Sequence, residues 1–200
     1  MINSSLLVNA LCEQGFYICD HFLDEQVAYL LQHNALALIK QGKFRPARIG
    51  NLTNTKQNTS IRTDKIYWLD ESFPNIKPFW QVIMQIKLTL NEQLYLSLTE
   101  LETHFAFYQT GSFYKKHIDQ FKNNYHRKIS FVYYLNPNWQ PDYGGQLTLY
   151  NQENQLITSI LPTYNRFICF LSHLPHEVQK TTIDRLSITG WLKTKASLLI

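Results

Sequence analysis

Residues 103–119 read THFAFYQTGSFYKKHID, and along this run the chain changes from a helical period to a period of two. Thr103 to Gln109 and Phe113 to Lys116 read as short strands. They open a series that continues with Lys128 to Leu135, Gln146 to Tyr150, Leu156 to Ile160, Arg166 to Leu171 and Leu186 to Lys193. Turn residues separate them, notably Asn136-Pro137, Gly144-Gly145 and Pro162. Many short strands with even turns predict a mostly β protein with flanking helices: a two-sheet jelly roll (double-stranded β-helix) with the N-terminal helices packed on one sheet.

Upstream the period is helical. Asn3, Ser4 and Ser5 can cap a short helix through Glu13, Gly15 ends it, and Phe16 to Cys19 reads as a buried strand. Asp24 is the N-cap of a second helix, in which Val27, Leu30, Leu31, Leu38 and Ile39 recur at helical spacing before Gly42. Residues 50–63 turn polar, with three Asn and four Thr, and read as an exposed, mobile loop. Lys65 to Leu69 resumes as strand. A third helix begins near Pro78 with Phe79, Ile83, Ile86, Leu90 and Leu94 on one stripe, and ends before Leu101. The chain contains no internal repeat or linker, so residues 1–200 are read as one domain. Residues 1–100 support a jelly-roll core of residues 101–195.

Composition agrees with this organisation. A chain of 200 residues with 44% hydrophobic and 17% charged residues, including 12 Phe, 12 Tyr and 4 Trp, excludes disorder and can bury a core without disulfides. A formal charge of only +4, scattered along the chain, argues against nucleic acid as partner. Cys12, Cys19 and Cys169 lie in apolar segments, as reduced core thiols do. The first eleven residues carry no basic leader region, and no uncharged apolar run is of spanning length. A cytoplasmic protein without a membrane partner is expected, of unspecified oligomeric state.

The chemistry concentrates in two places. In Tyr114-Lys115-Lys116-His117-Ile118-Asp119, a spacing of two at a strand end turns His117 and Asp119 to one face. A third ligand must come from another strand, and fifty-seven residues beyond Asp119 stands His176, in Ser172-His173-Leu174-Pro175-His176-Glu177-Val178. Two histidines and one carboxylate with open positions are diagnostic of non-haem Fe(II) oxygenases. His173 is the rival third ligand, and its ordinary reading is a loop residue or a donor behind the ligands. Nine residues after His176, Arg185 begins a strand whose same-face residues are Ser187, Thr189 and Trp191. A cation aimed into a barrel needs an anion, and a dicarboxylate co-substrate would supply one through a bidentate fork. Of the other histidines, His104 reads as a packed strand residue, and His21, His33 and His126 as solvated.

These features lie within a longer likeness. The stretches EQGFYICDHF (13–22), KQGKF (40–44), IRTDKIYW (61–68), YKKHID (114–119), VYYLN (132–136), GGQL (144–147) and PHEVQ (175–179), with Tyr108, Arg127 and Arg185 to Trp191, resemble the Fe(II)- and 2-oxoglutarate-dependent prolyl hydroxylases of the oxygen-sensing type and their bacterial relatives. The resemblance covers most of the chain. It implies His117, Asp119 and His176 as iron ligands and Arg185 as the partner of the distal carboxylate of 2-oxoglutarate. Tyr134 would add a hydroxyl to that carboxylate, and Tyr108 would contact the co-substrate near the metal. The loop before Arg62 would close over a peptide, with Arg62, Asp64 and Arg127 near the cleft mouth and Trp191 as a wall. Thr63 stands where the family commonly has glycine, and a β-branched residue resists positive φ.

The implied activity is hydroxylation of a prolyl residue in a protein. Fe(II) is the cofactor, 2-oxoglutarate and O2 are the co-substrates, and ascorbate is a reductant. A component of the translation machinery is the first candidate target. The alternatives are an oxygenase of the same fold acting on a free amino acid or small metabolite, and a binding module that has lost catalysis. A nucleic-acid repair oxygenase is disfavoured, because Trp191 stands six residues after Arg185 where those enzymes place a second arginine.

Overall fold

The computed structural model describes residues 2–48, 58–120 and 125–195. In chain order the elements are α1 Ser4–Gln14, β1 Phe16–Cys19, α2 Glu25–Lys40, β2 Arg45–Pro46, β3 Lys65–Trp68, α3 Lys77–Leu94, β4 Glu100–Tyr108, β5 Tyr114–His117, β6 Arg127–Tyr134, β7 Leu147–Tyr150, β8 Leu156–Ile160, β9 Phe167–Leu171, β10 His176–Val178 and β11 Arg185–Lys193. The strands form two antiparallel sheets. One has seven strands in the order β1-β9-β6-β11-β4-β3-β2, the other four in the order β5-β10-β7-β8. This is the jelly roll that the strand pattern predicts.

The helix caps form as the sequence requires. The Asn3 side chain accepts the Leu6 N–H, and Gly15 adopts φ 81° while its N–H reaches Leu11 O. Asp24 accepts the Gln26 N–H to open α2. In α3 Pro78 sits in the first turn, where its missing N–H costs nothing. The buried stripes of the three helices, among them Leu7, Leu31, Phe79 and Ile83, pack on Phe105, Phe107, Phe131, Tyr133 and Phe167 of the larger sheet. Each such side chain contributes roughly 1.5–3 kcal/mol when fully buried. Strand alternation sends the other set inward. Ala106, Tyr108, Val132 and Tyr134 meet Leu147, Leu149 and Val178 of the smaller sheet.

Several expectations are corrected. Cys12 is exposed and Cys19 half-buried, and only Cys169 is a core thiol. Cys12 follows the buried Leu11 along a helix, so it points about 100° away from the packed face. His126 is half-buried rather than solvated, with Nδ1 3.3 Å from Thr194 Oγ1. Strands β2 and β10 were not expected, and β4 begins at Glu100 rather than Thr103. Of the polar loop 50–63, residues 50–57 lie outside the described residues. Its end is docked instead of exposed. The Lys115 N–H reaches Ile61 O at 2.9 Å, Thr63 N–H reaches Phe113 O at 3.1 Å, and Thr63 Oγ1 accepts the Phe113 N–H at 3.0 Å. Thr63 is not among the residues with positive φ, and its hydroxyl anchors the segment.

Candidate metal and co-substrate site

Antiparallel pairing of β5 with β10 sets His117 and His176 directly opposite each other, with ring centroids 4.2 Å apart. Each Nδ1 lies on a backbone carbonyl two residues earlier, Lys115 O at 2.8 Å and Leu174 O at 2.9 Å. A carbonyl only accepts, so both Nδ1 atoms carry the proton and both Nε2 atoms present lone pairs. The Asp119 carboxylate faces them, Oδ1 3.6 Å from His117 Nε2 and Oδ2 3.6 Å from His176 Nε2. One donor atom from each of the three residues lies within 4.8 Å of the other two. His173, the rival on sequence, is exposed and outside this cluster.

The electrostatics suit a metal. Burial alone would raise the Asp119 carboxyl, but His176, His117 and Ser130 outweigh it and hold the group well below the usual carboxylate range. Burial, then the neighbouring His117, pushes His176 down to about 4, so its imidazole is neutral. An ionised carboxylate beside neutral imidazole is the ligand state a divalent ion requires. Behind it, Asp119 Oδ2 accepts from Ser130 Oγ at 2.6 Å and from Trp191 Nε1 at 2.8 Å, and Ser130 is 2.9 Å from Ser172 Oγ. These contacts fix the carboxylate from the larger sheet, where Trp191 and Ser130 are register partners.

Deeper in the barrel Arg185 is 1% exposed. Its Nε donates to Gly145 O at 2.9 Å, Nη1 lies 3.4 Å from Ser187 Oγ, and its guanidinium sits 4.9 and 5.0 Å from the ring centroids of Tyr108 and Tyr134. No acidic side chain among the described residues forms an ion pair with it. The Tyr134 hydroxyl is fully buried beside the Arg185 guanidinium and donates to no acceptor; burial raises its pKa against the lowering effect of Arg185, so it stays a neutral donor. A buried cation and a buried orphan hydroxyl on one wall both call for an anion that accepts hydrogen bonds. The distal carboxylate of a dicarboxylate fits that demand, and the triad's donor set fits one divalent ion.

Toward the mouth, Arg62 grips Asp64 through two bonds of 2.7 and 2.6 Å, and Asp64 is 1% exposed. The Arg62 guanidinium lies 4.2 Å over Tyr114, whose ring stacks on His117 at 3.6 Å and 13°. Arg127 donates to Glu102 at 3.3 Å and lies 3.6 Å over the Trp191 ring. Every residue expected at the site borders one cavity of about 1220 Å³, except Asp64, which pairs with Arg62, and Tyr134, which lies beside Arg185. Sequence reasoning gave no role to Ser130, Ser172, Tyr114 or the Gly145 carbonyl. A lone serine among inward-facing apolar positions of Lys128 to Leu135 was the available signal for the first.

A jelly roll with a convergent His-Asp-His set and a buried arginine facing an unpartnered tyrosine defines a non-haem Fe(II) oxygenase that uses a dicarboxylate co-substrate. Residues 103–193 match the model of the 2OG-Fe(II) oxygenase superfamily. The chain is 30% identical to a prolyl-4-hydroxylase from Pseudomonas putida, with TM-score 0.85 over 96% of this chain and 98% of that one. It is 32% identical to a prolyl hydroxylase from Trichoplax adhaerens, solved with a hypoxia inducible factor peptide fragment, with TM-score 0.85 over 95% of this chain and 88% of that one. Prolyl hydroxylase EGLN3 of Homo sapiens is 28% identical over 92% of this chain and 81% of its own length. The protein belongs to the Fe(II)- and 2-oxoglutarate-dependent prolyl hydroxylase family. Among the described residues no helix is long and apolar enough to cross a membrane.

Proposed function

We propose that this protein is a single-domain enzyme that hydroxylates a prolyl residue of a protein substrate. The observation that carries the reading is the pairing of two unmet demands in one barrel: three metal-competent donors at the rim, and a buried Arg185–Tyr134 wall with no anion. His117, Asp119 and His176 would hold Fe(II). Arg185, with the Tyr134 hydroxyl, would hold the distal carboxylate of 2-oxoglutarate, and Tyr108 would bound the co-substrate near the metal. When bound, Fe(II) and 2-oxoglutarate would supply the oxidising chemistry with O2: one oxygen atom would enter a substrate C–H bond and the other the succinate formed as 2-oxoglutarate loses carbon dioxide.

The chain's own part is orientation and exclusion of water. Gly145 O and Ser187 pin the guanidinium, so the co-substrate carboxylate meets a fork already aimed. Val132, Leu147 and Phe170 give the cavity apolar walls. The Lys115 and Leu174 carbonyls keep both Nε2 lone pairs directed at the ion. At the mouth, Arg62 with Asp64, Arg127 and Trp191 would border the bound peptide. Ascorbate as reductant, a translation-machinery component as target, and a cytoplasmic location belong to the same proposal. The free thiols fit a reducing compartment.

The test is succinate formation from 2-oxoglutarate with Fe(II), together with mass spectrometry of proteins from wild-type and deletion cells. A protein carrying hydroxyproline only in the wild type is the expected result. Turnover without any such difference would move the enzyme to a small-molecule substrate.

A further inference from the structure

His104 has no task in the metal and co-substrate site. It lies on β4 on the cavity side, 3% exposed, and borders the same cavity as Trp68, Arg127 and Trp191. Its ring centroid is 5.0 Å from that of Trp68 and 5.4 Å from that of Trp191. Register places it opposite Trp68 on β3 and Thr189 on β11. Its Nδ1 is sealed from solvent and has no hydrogen-bond partner. A buried ring nitrogen without a partner costs free energy that an apolar residue at the same place would not. Burial, then the charges of Arg62 and Arg127, pushes it down to about 3, so the ring is neutral, with one N–H and one lone pair.

We propose that His104 is a substrate-recognition residue whose imidazole N–H donates to a backbone carbonyl oxygen of the bound peptide beside the target proline. The proposal rests on the prolyl hydroxylase reading and goes beyond it in naming a contact. With Nδ1 sealed, Nε2 is the nitrogen left to meet the peptide. A prolyl nitrogen carries no hydrogen, so the backbone around a proline offers more acceptors than donors, and a donor in the protein matches it. Trp68, more than half exposed, supplies a flat apolar face beside His104 for a pyrrolidine ring.

The experiment compares wild type, His104→Leu and His104→Gln as Fe(II)-loaded enzymes with 2-oxoglutarate and a panel of short prolyl peptides, reading peptide-dependent succinate. For the most active peptide, His104→Leu is expected to raise the peptide KM by about tenfold, the worth of one hydrogen bond, with the 2-oxoglutarate KM unchanged. His104→Gln, which keeps an N–H, is expected to recover most of that loss. A Leu variant with the wild-type peptide KM overturns the contact. So does a parallel rise in both KM values with Gln no better than Leu, since that marks a purely structural role. If no peptide stimulates the wild type above its peptide-free turnover, the prolyl hydroxylase reading itself falls and takes this contact with it.

Discussion

The indole Nε1 of Trp191 donates to Oδ2 of Asp119 at 2.8 Å, so the last strand of the larger sheet holds a carboxylate carried beyond the end of β5 in the smaller one. The same oxygen also takes the Ser130 hydroxyl. Trp191→Phe keeps an aromatic face for Arg127 and removes the N–H together with part of the ring. Groups that orient a ligand in this way typically contribute 10- to 100-fold in metal affinity. Anaerobic titration of the metal-free variant with Mn(II) is expected to show a loss in that range. An unchanged affinity would mean that Ser130 alone orients the carboxylate.

Tyr134 lets stability and co-substrate binding be separated. Its hydroxyl is buried and unpartnered in the ligand-free protein, so Tyr134→Phe removes a group that costs about 1–3 kcal/mol to leave unsatisfied. The ligand-free variant is therefore expected to melt at or above the wild-type temperature. Its KM for 2-oxoglutarate is expected to rise about tenfold, because one hydrogen bond to the carboxylate is gone. A variant that melts lower and binds 2-oxoglutarate normally would place the hydroxyl in the fold and outside the co-substrate pocket.

The two outcomes of reading the sequence have physical causes. Period-two alternation marked Thr103 to Gln109 as a strand, and the same rule put Arg185, Ser187, Thr189 and Trp191 on one face; His104, Ala106, Tyr108, Arg185, Thr189 and Trp191 line the cavity. The convergence of His117, Asp119 and His176 was legible from the spacing of two at the end of β5 and from the place of His176 nine residues before Arg185. Strand β10 was not, since three residues are too few for a period, and β2 is two residues long and contains a proline. The anchoring of Arg185 was hidden for another reason: its partner is a backbone carbonyl, and every residue has one. Cys12 was misplaced because an apolar neighbourhood along the chain is not the same as the packed face of a helix.

The Gly144-Gly145 pair looked like an ordinary turn, and its geometry ties it to the site. Gly144 adopts φ 70° and ψ −147°, a region open essentially to glycine, and an added Cβ would lie 2.2 Å from Lys180 O. Gly144→Ala must shift backbone, and the next residue supplies the carbonyl on Arg185 Nε. The variant is expected to lose about 1–3 kcal/mol of stability and also to weaken 2-oxoglutarate binding. Denaturant unfolding and the 2-oxoglutarate KM read the two effects. A stability loss with normal co-substrate affinity would show that the Gly145 carbonyl is dispensable for aiming the guanidinium.

His104 makes folding pH-dependent in a predictable direction. In the folded protein its pKa is pushed down to about 3, below the unfolded value of about 6.5. Above about pH 6.5 both states are neutral there and the residue adds no pH dependence. As pH falls further, the unfolded chain takes up a proton that the folded ring refuses, so stability drops by about 1.4 kcal/mol per pH unit until the folded pKa is reached. Between about pH 7 and pH 5 this amounts to about 2 kcal/mol. Urea unfolding of the metal-free wild type and of His104→Leu over that interval isolates the contribution, since every other titrating group is common to both. The wild type is expected to lose about 2 kcal/mol more than the variant across the interval. Equal losses would mean that the folded ring takes up its proton as readily as the unfolded one, and that burial beside Trp68 and Trp191 does not hold it neutral.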